Sequence, residues 1–546
     1  MLNQPRHICF RRHLLVATGC FMLLACAVVP LQAQKTPKFK LNQYKRVHQV
    51  ALNLITSRKT ETAISALEVF AAANPMDAES HYMLTVARAQ AGQLPNAIAS
   101  MNKAIELGLP PERFVAGTRT LLQPIHKTTE YQALATRLSD RVAHGPMLGC
   151  LEGNSVRIWL RTTNAAAVRI EAKAEGDDKV LVSETQQSIE GTDFTVIPKL
   201  SGLKPKTKYL YRVVVNDKSQ SKSDDWHRFH TLAGKGQPVR FKLGFGGGAG
   251  YVPQHEHMWN TIAAEKPDAF LLLGDNIYSD APQSPEMQHY CYYRRQSRPE
   301  YRAFTSKTPI YSIWDDHDFG TNDCQGGPAI ETPDWKRPVW KVFRNNWVNP
   351  AYGGGEKNPG IYYDFYIGNV HFIMLDGRYY RNLNKKDSAK SDMLGPVQLA
   401  WLKKTIDGST GRLKVLCSPV PWVLEAKGES KDTWNGFRAQ RHEIFGYLTK
   451  NKVTGVVLMS ADRHRSDLWK ISRENDYSLY EFNSSRLTNQ HVHPEMKRAE
   501  FSYNKKQSFG TVEFDTTADD PTIRYRIHSI DGEPVFDFTL NASRLR

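Results

Sequence analysis

Three short polar runs follow directly on apolar stretches, and their residue types suit metal-assisted chemistry. Leu273-Gly274-Asp275-Asn276-Ile277-Tyr278 follows one such stretch. Trp314-Asp315-Asp316-His317-Asp318-Phe319-Gly320-Thr321-Asn322-Asp323 follows Ile310–Ile313. Ser460-Ala461-Asp462-Arg463-His464 follows Val456–Met459. Carboxylates half-buried without partners are costly, and a bound cation satisfies several at once. Asp, His and Asn together suit hard or borderline ions such as calcium, iron, manganese or zinc. A lone strand-end Asp is ordinarily a cap or turn residue, and His255, His257, His289 and His491 are read in that bland way. Three acidic runs, two of them with His, point instead to one shared metal site.

The elements that must position these groups are short, continuous apolar runs: Phe241–Phe245, Ala269–Leu273, Val370–Leu375, Leu413–Leu416 and Val456–Met459. Runs that do not alternate read as strands buried on both faces of an α/β sheet flanked by helices. Ligands of such sheets sit at the carboxyl ends of strands. This last domain is expected over 238–546, after a hinge at Gly236-Gln237-Pro238.

Upstream, from about Gly145, the period changes to two. Val156, Ile158 and Leu160 alternate with Arg157, Trp159 and Arg161. This is half-buried strand chemistry. Leu203 to Tyr211 has the form of the tyrosine corner of an immunoglobulin or fibronectin type III sandwich. A structural β-sandwich is therefore expected over 145–233. Residues 34–141 read as helical. Ala78 to Ala104, with Gly92 in a turn, fits a tetratricopeptide helix pair, and Val47 to Pro75 repeats it weakly. Its role is either protein contact or capping of the next domain, and with no cluster of site residues it is expected to be dispensable for activity.

Met1–Ala33 has a basic start, an apolar run from Leu14 to Val29 and a small residue before Gln34. That is the layout of an export signal, with a bare membrane anchor as the alternative. Leu23-Leu24-Ala25-Cys26 also resembles a lipoprotein box, so a lipid anchor at Cys26 stays open. The expected location is periplasmic, secreted or on the cell surface. Export permits disulfides, and Cys291 with Cys324 is the first pair to consider, against two buried thiols. A chain of 546 residues, 40% apolar and 23% charged, with ample aromatics, is neither disordered nor polytopic in a membrane. Its net charge of +16 favours anionic partners. No block of five to eight basic residues occurs, so nucleic acid is not expected.

From Gly145 to the C-terminus these motifs resemble the PhoD-like alkaline phosphatases, a branch of the calcineurin-like metallophosphoesterases. Trp314-Asp315-Asp316-His317-Asp318 is the most specific piece. Leu375-Asp376-Gly377-Arg378, Ser418-Pro419-Val420-Pro421-Trp422 and the preceding β-sandwich add to it. The resemblance implies a layered metallophosphoesterase domain holding two or more metal ions. By motif, Asp275 would bridge metals, Asp316, Asp462 and His464 would complete the cluster, and Asn322 would contact metal or phosphate. His317 would be the general acid, backed by Asp315 or Asp318. Arg378 and Arg463 would meet phosphate oxygens, since guanidinium binds them bidentately.

One departure stands out. Relatives of this kind carry an iron-ligating Cys where this chain has Gly248, within Gly246-Gly247-Gly248-Ala249-Gly250. Oxygen and nitrogen ligation is therefore expected, of calcium or manganese with iron(III) as a further possibility. Glycines there would let backbone amides approach an anion. Tyr292 or Tyr293 would supply the family's metal-binding Tyr. The implied activity is hydrolysis of phosphate monoesters or diesters, on small molecules or polymers, by a metal-activated hydroxide. The alternative is a non-catalytic surface adaptor with a degenerate metal domain, which Gly248 would favour.

Overall fold

The computed structural model describes residues 44–221 and 225–546. The export segment Met1–Ala33 and Cys26 lie outside the described residues. Four helices come first: α1 (Tyr44–Thr56), α2 (Thr60–Ala73), α3 (Ala78–Gln90) and α4 (Leu94–Glu106). Small buried residues such as Ala63, Ala66, Ala87, Ala97 and Ala104 let these helices pack closely. Asp77 caps α3 by accepting from Ser80 N, and Gly92 turns the chain with φ +75°.

These helices are built into the rest of the chain. Arg113 and Glu79 form a buried ion pair at 2.8 Å, and Arg113 also donates to Ser297 Oγ at 3.2 Å. Gln49 of α1 donates to the backbone oxygen of Tyr278 and lies 3.3 Å from Cys291 Sγ. One continuous apolar cluster runs from Ala51 to Leu545. These contacts weigh against the expectation that the helices can be removed without loss.

The next segment forms two antiparallel sheets. One pairs Val142–Gly149 with Ser155–Thr162 and carries Thr195–Val196 and Lys199–Ser201. The other is centred on Ala166–Ala174 and Lys208–Val215. Leu148, Val156, Ile158, Leu160, Val168, Ile170, Tyr211 and Val213 share the core between them. Asp193 ties three segments together. Its carboxylate meets Arg119 at 2.5 Å, Arg161 at 2.9 Å and the Tyr293 hydroxyl at 2.7 Å.

The remainder is two mixed sheets stacked face to face. The six-stranded sheet runs Ile310–Ile313, Ala269–Leu273, Arg240–Gly246, Ser508–Asp515, Thr522–Ser529, Pro534–Asn541. Its first three strands are parallel. The seven-stranded sheet has four parallel central strands, Val370–Met374, Leu413–Cys417, Val456–Ser460 and Asp476–Asn483. Phe241, Phe372 and Phe514 interlock between the sheets. Each fully buried aromatic of this kind contributes roughly 2–3 kcal/mol. Parallel strands place Asp275, Asp315, Asp376 and Asp462 just beyond the carboxyl ends of four of them. Among the described residues no helix is long and apolar enough to cross a membrane.

Candidate active site

Tight turns aim the ligating side chains. Gly274 has φ +104°, and a Cβ there would stand 2.6 Å from Asp315 Cβ. Asp275, Asp462 and His464 themselves have φ of +53°, +64° and +49°. Non-glycine residues held in the left-handed region cost free energy and gather at functional sites.

Asp275 is buried. Its Oδ2 accepts from the Tyr278 hydroxyl at 2.8 Å, and His464 Nε2 lies 4.0 Å away. Its Oδ1 has no hydrogen-bond partner among the described residues, and neither does Asp316 Oδ1. Burial pushes the Asp275 carboxyl well above the usual range, and the charges of Asp316, Asp318 and Asp462 add to this. Ligand atoms of Asp275, Asp316 and His317 lie within 4.8 Å of one another, and so do those of Asp316, Asp323 and Asp432. Crowded carboxylates with orphaned oxygens are the environment a cation resolves, so these residues fit a metal centre.

His317 is held at Nδ1 by Asp280 Oδ1, 2.5 Å away, and the Tyr278 ring lies against the imidazole at 4.3 Å. This corrects the expectation that Asp315 or Asp318 backs His317. Asp318 is spent on backbone: its carboxylate accepts from the amides of Asn276, Ile277 and Asp315. Burial still lifts its carboxyl to about 7. Those bonds start a short helix, Asp316–Phe319, at the strand end. Asp316 and His317 therefore leave the strand on a helical turn rather than extended backbone. Asp315 pairs with Arg378 Nε at 2.5 Å.

The two expected phosphate-binding arginines face inward. Arg378 is fully buried between Asp315 and Asp432, the latter at 2.8 Å. Arg463 donates to the Ala426 carbonyl at 3.1 Å and lies 3.4 Å from Asp462 Oδ2. Both act as internal counter-charges. Tyr292 accepts from Trp347 Nε1 and Tyr293 donates to Asp193, so neither is the metal-side tyrosine. Tyr278 is the tyrosine whose hydroxyl meets Asp275.

Gly248 has φ +69°, and a Cβ there would meet Arg486 N at 2.9 Å and Ser485 Oγ at 3.1 Å. A thiolate has no room at this position. The nearby amides do not face an anion: Gly248 N and Ala249 N donate to the Gly274 and Asp275 carbonyls. The four cysteines among the described residues are free thiols, so the expected Cys291–Cys324 bridge is absent. Cys291 packs against Gln49 and Tyr278, whereas Cys324 lies beside Gly320.

A cavity of about 360 Å³ opens onto the cluster. Asp316, His317, Asn322, Asp462 and His464 line it as expected. So does His491, against its expected role as a plain cap or turn residue, together with residues given no role from sequence: Arg46, Tyr278, Asp323, Lys427, Asn489 and His493. Asn489 Nδ2 donates to Tyr278 Oη at 2.7 Å and lies 3.3 Å from His464 Nδ1. Lys427 Nζ stands 3.3, 3.0 and 3.9 Å from Asp323, Asp432 and Asp462. The Asp275 to Tyr278 spacing was a findable signal; nothing near Arg46 or Lys427 in sequence announces them.

The family model described as PhoD-like phosphatase matches residues 243–540, just over half of the chain and all of the carboxylate cluster. The chain belongs to the PhoD-like phosphatase family. Residues 139–231 match a domain of unknown function, DUF7800. The chain is 25% identical over 344 residues to alkaline phosphatase D of Bacillus subtilis (strain 168), covering 54% of this chain and 57% of that protein. It is 24% identical over 251 residues to purple acid phosphatase 23 of Arabidopsis thaliana, covering 41% and 46%. It thus spans about half the length of the curated relatives it matches. The solved structure of PhoD shares the fold, with TM-score 0.63 at 18% identity over 75% of this chain and 92% of that one. In this member of the PhoD-like phosphatase family, helices α1–α4 lie outside both matched segments.

Proposed function

We propose that this protein is an exported, metal-dependent phosphoesterase acting on phosphate monoesters or diesters. The observation that carries the reading is that ligand atoms of Asp275, Asp316 and His317 lie within 4.8 Å of one another, with one oxygen of each carboxylate lacking a hydrogen-bond partner among the described residues. Asp275, Asp316, Asp462 and His464 would hold the metal ions, with Tyr278 and Asn322 beside them. Bound ions would polarise phosphoryl oxygens and bring the pKa of water toward neutrality. Oxygen and nitrogen donors suit calcium or manganese.

The protein's own groups supply the rest. Asp280 fixes His317 with Nδ1 engaged, so the proton for the leaving oxygen is carried on Nε2. Arg378 neutralises Asp315 and Asp432 from behind, and Lys427 neutralises the Asp323 side. The same convergence favours an enzyme over the adaptor reading.

Hydrolysis of p-nitrophenyl phosphate and its bis ester, with and without chelator, tests the proposal. Loss of turnover on chelation, with recovery on metal return, is the expected result; chelator-resistant or absent turnover would refute it.

Export rests on the Met1–Ala33 pattern, and N-terminal sequencing of the mature protein checks it. Acylation at Cys26 would show in the same experiment. The immunoglobulin-like reading of 145–233 is supported by the Tyr209 hydroxyl, which accepts from Lys204 N at 2.8 Å. For α1–α4 the tetratricopeptide-like reading is supported by the helix pair about Gly92, and the contacts of Gln49 and Arg113 favour capping of the next domain over protein contact.

A further inference from the structure

Of the cavity-lining residues, Arg46 is the one that comes from outside the two matched segments. It projects from α1, and its side chain is 33% exposed. Asp280 joins it to His317: Oδ2 pairs with Arg46 Nη1, and Oδ1 holds His317 Nδ1. Arg46 therefore lines the cavity on the Nδ1 side of His317, whose Nε2 would meet the leaving group.

The other cations near the cluster are committed. Arg378 and Arg463 are buried in internal pairs, and Lys427 sits among three carboxylates. Arg46 has one carboxylate partner, and among the described residues its contacts with Asp280 and Gln49 both use Nη1. Nε and Nη2 keep their donors, in the planar fork that suits carboxylate and phosphate. An anionic group on a bound leaving alcohol would find those donors at the cavity wall.

We propose that Arg46 selects phosphate esters whose leaving alcohol carries a second anionic group, a carboxylate or another phosphate. This rests on the phosphoesterase reading above. The helical segment then supplies part of the substrate site.

The test compares 3-phosphoglycerate with glycerol 3-phosphate, which differ in one carboxylate, on the purified full-length enzyme with its metals. Wild type is expected to favour 3-phosphoglycerate in kcat/KM by about ten-fold or more, the worth of one charge-assisted hydrogen bond. Arg46→Met is expected to erase most of that ratio, chiefly through KM, and Arg46→Lys to retain part of it. Thermal melting shows whether each variant is folded; if the Met variant is not, the Lys variant decides. Absence of a wild-type preference would overturn the proposal. So would an equal fall in kcat for both esters, which would make Arg46 a positioning residue for Asp280. If wild type hydrolyses neither ester nor p-nitrophenyl phosphate, the phosphoesterase reading itself fails and takes this one with it.

Discussion

Asp280 Oδ1 lies 2.5 Å from His317 Nδ1, a carboxylate and imidazole brought together from 37 residues apart. A carboxylate at Nδ1 fixes the tautomer and raises the basicity of the far nitrogen. Burial would raise the Asp280 carboxyl, but His317 and Arg46 together hold it below its ordinary value. Asp280→Asn should lower kcat about 10- to 100-fold, the usual worth of such a partner. Steady-state kinetics on a poor leaving group decides. Wild-type rates in this variant would detach Asp280 from the chemistry.

His317→Ala should leave the metal content intact. It should cost roughly 10²–10⁴-fold on an ester with a poor alkoxide leaving group, the range of a general acid. The loss on p-nitrophenyl phosphate should be far smaller. Equal losses on both substrates would exclude the acid role, and loss of metal would make His317 a ligand.

Asp275→Asn should lower both metal content and turnover, because it removes a charge at the centre of the cluster. Elemental analysis alongside rates checks this. Full metal occupancy with near wild-type activity would rule out Asp275 as the bridging ligand.

The Asp193 junction should make stability depend on acid. Burial would raise its carboxyl, but Arg161, His289 and Arg119 more than offset this and hold it well below the usual range. A depressed folded-state pKa stabilises above the unfolded value of about 4 and loses that stabilisation as pH falls below it. Melting temperature should therefore drop more steeply below about pH 4 in wild type than in Asp193→Asn. At neutral pH the variant should already be about 3 kcal/mol less stable, the cost of breaking a buried pair. Parallel pH profiles would contradict the assignment.

Removal of residues before Arg141 should yield an unstable or inactive protein. It deletes Arg46, Gln49 and Arg113 and uncovers the faces they contact. A well-folded truncation with wild-type kcat would show that the helices are accessory.

Local patterns in the chain foretold much of this. Apolar runs marked the central strands, and the acids behind them marked the ends where Asp275, Asp316 and Asp462 converge. What stayed hidden involves long-range pairing. Arg46 meets Asp280 across the whole β-sandwich, and Lys427 meets Asp323 across 104 residues. Arg378 looked like a phosphate ligand because its motif is local, while its partners Asp315 and Asp432 are not. His317 takes Asp280 as its partner in place of its neighbours Asp315 and Asp318 because Asp318 carries the chain into a helical turn there.

The closed packing at Gly248 has a consequence for the chemistry of oxidants. With no sulfur donor at that position, and no cysteine among the residues lining the cavity, peroxide or disulfide stress has no thiolate at the site to attack. Cys324, the one half-buried thiol among the described residues, is pushed up to about 11 by burial and stays protonated, hence slow to oxidise. On the phosphoesterase reading, oxidation of thiols would leave the oxygen and nitrogen donors of the cluster untouched.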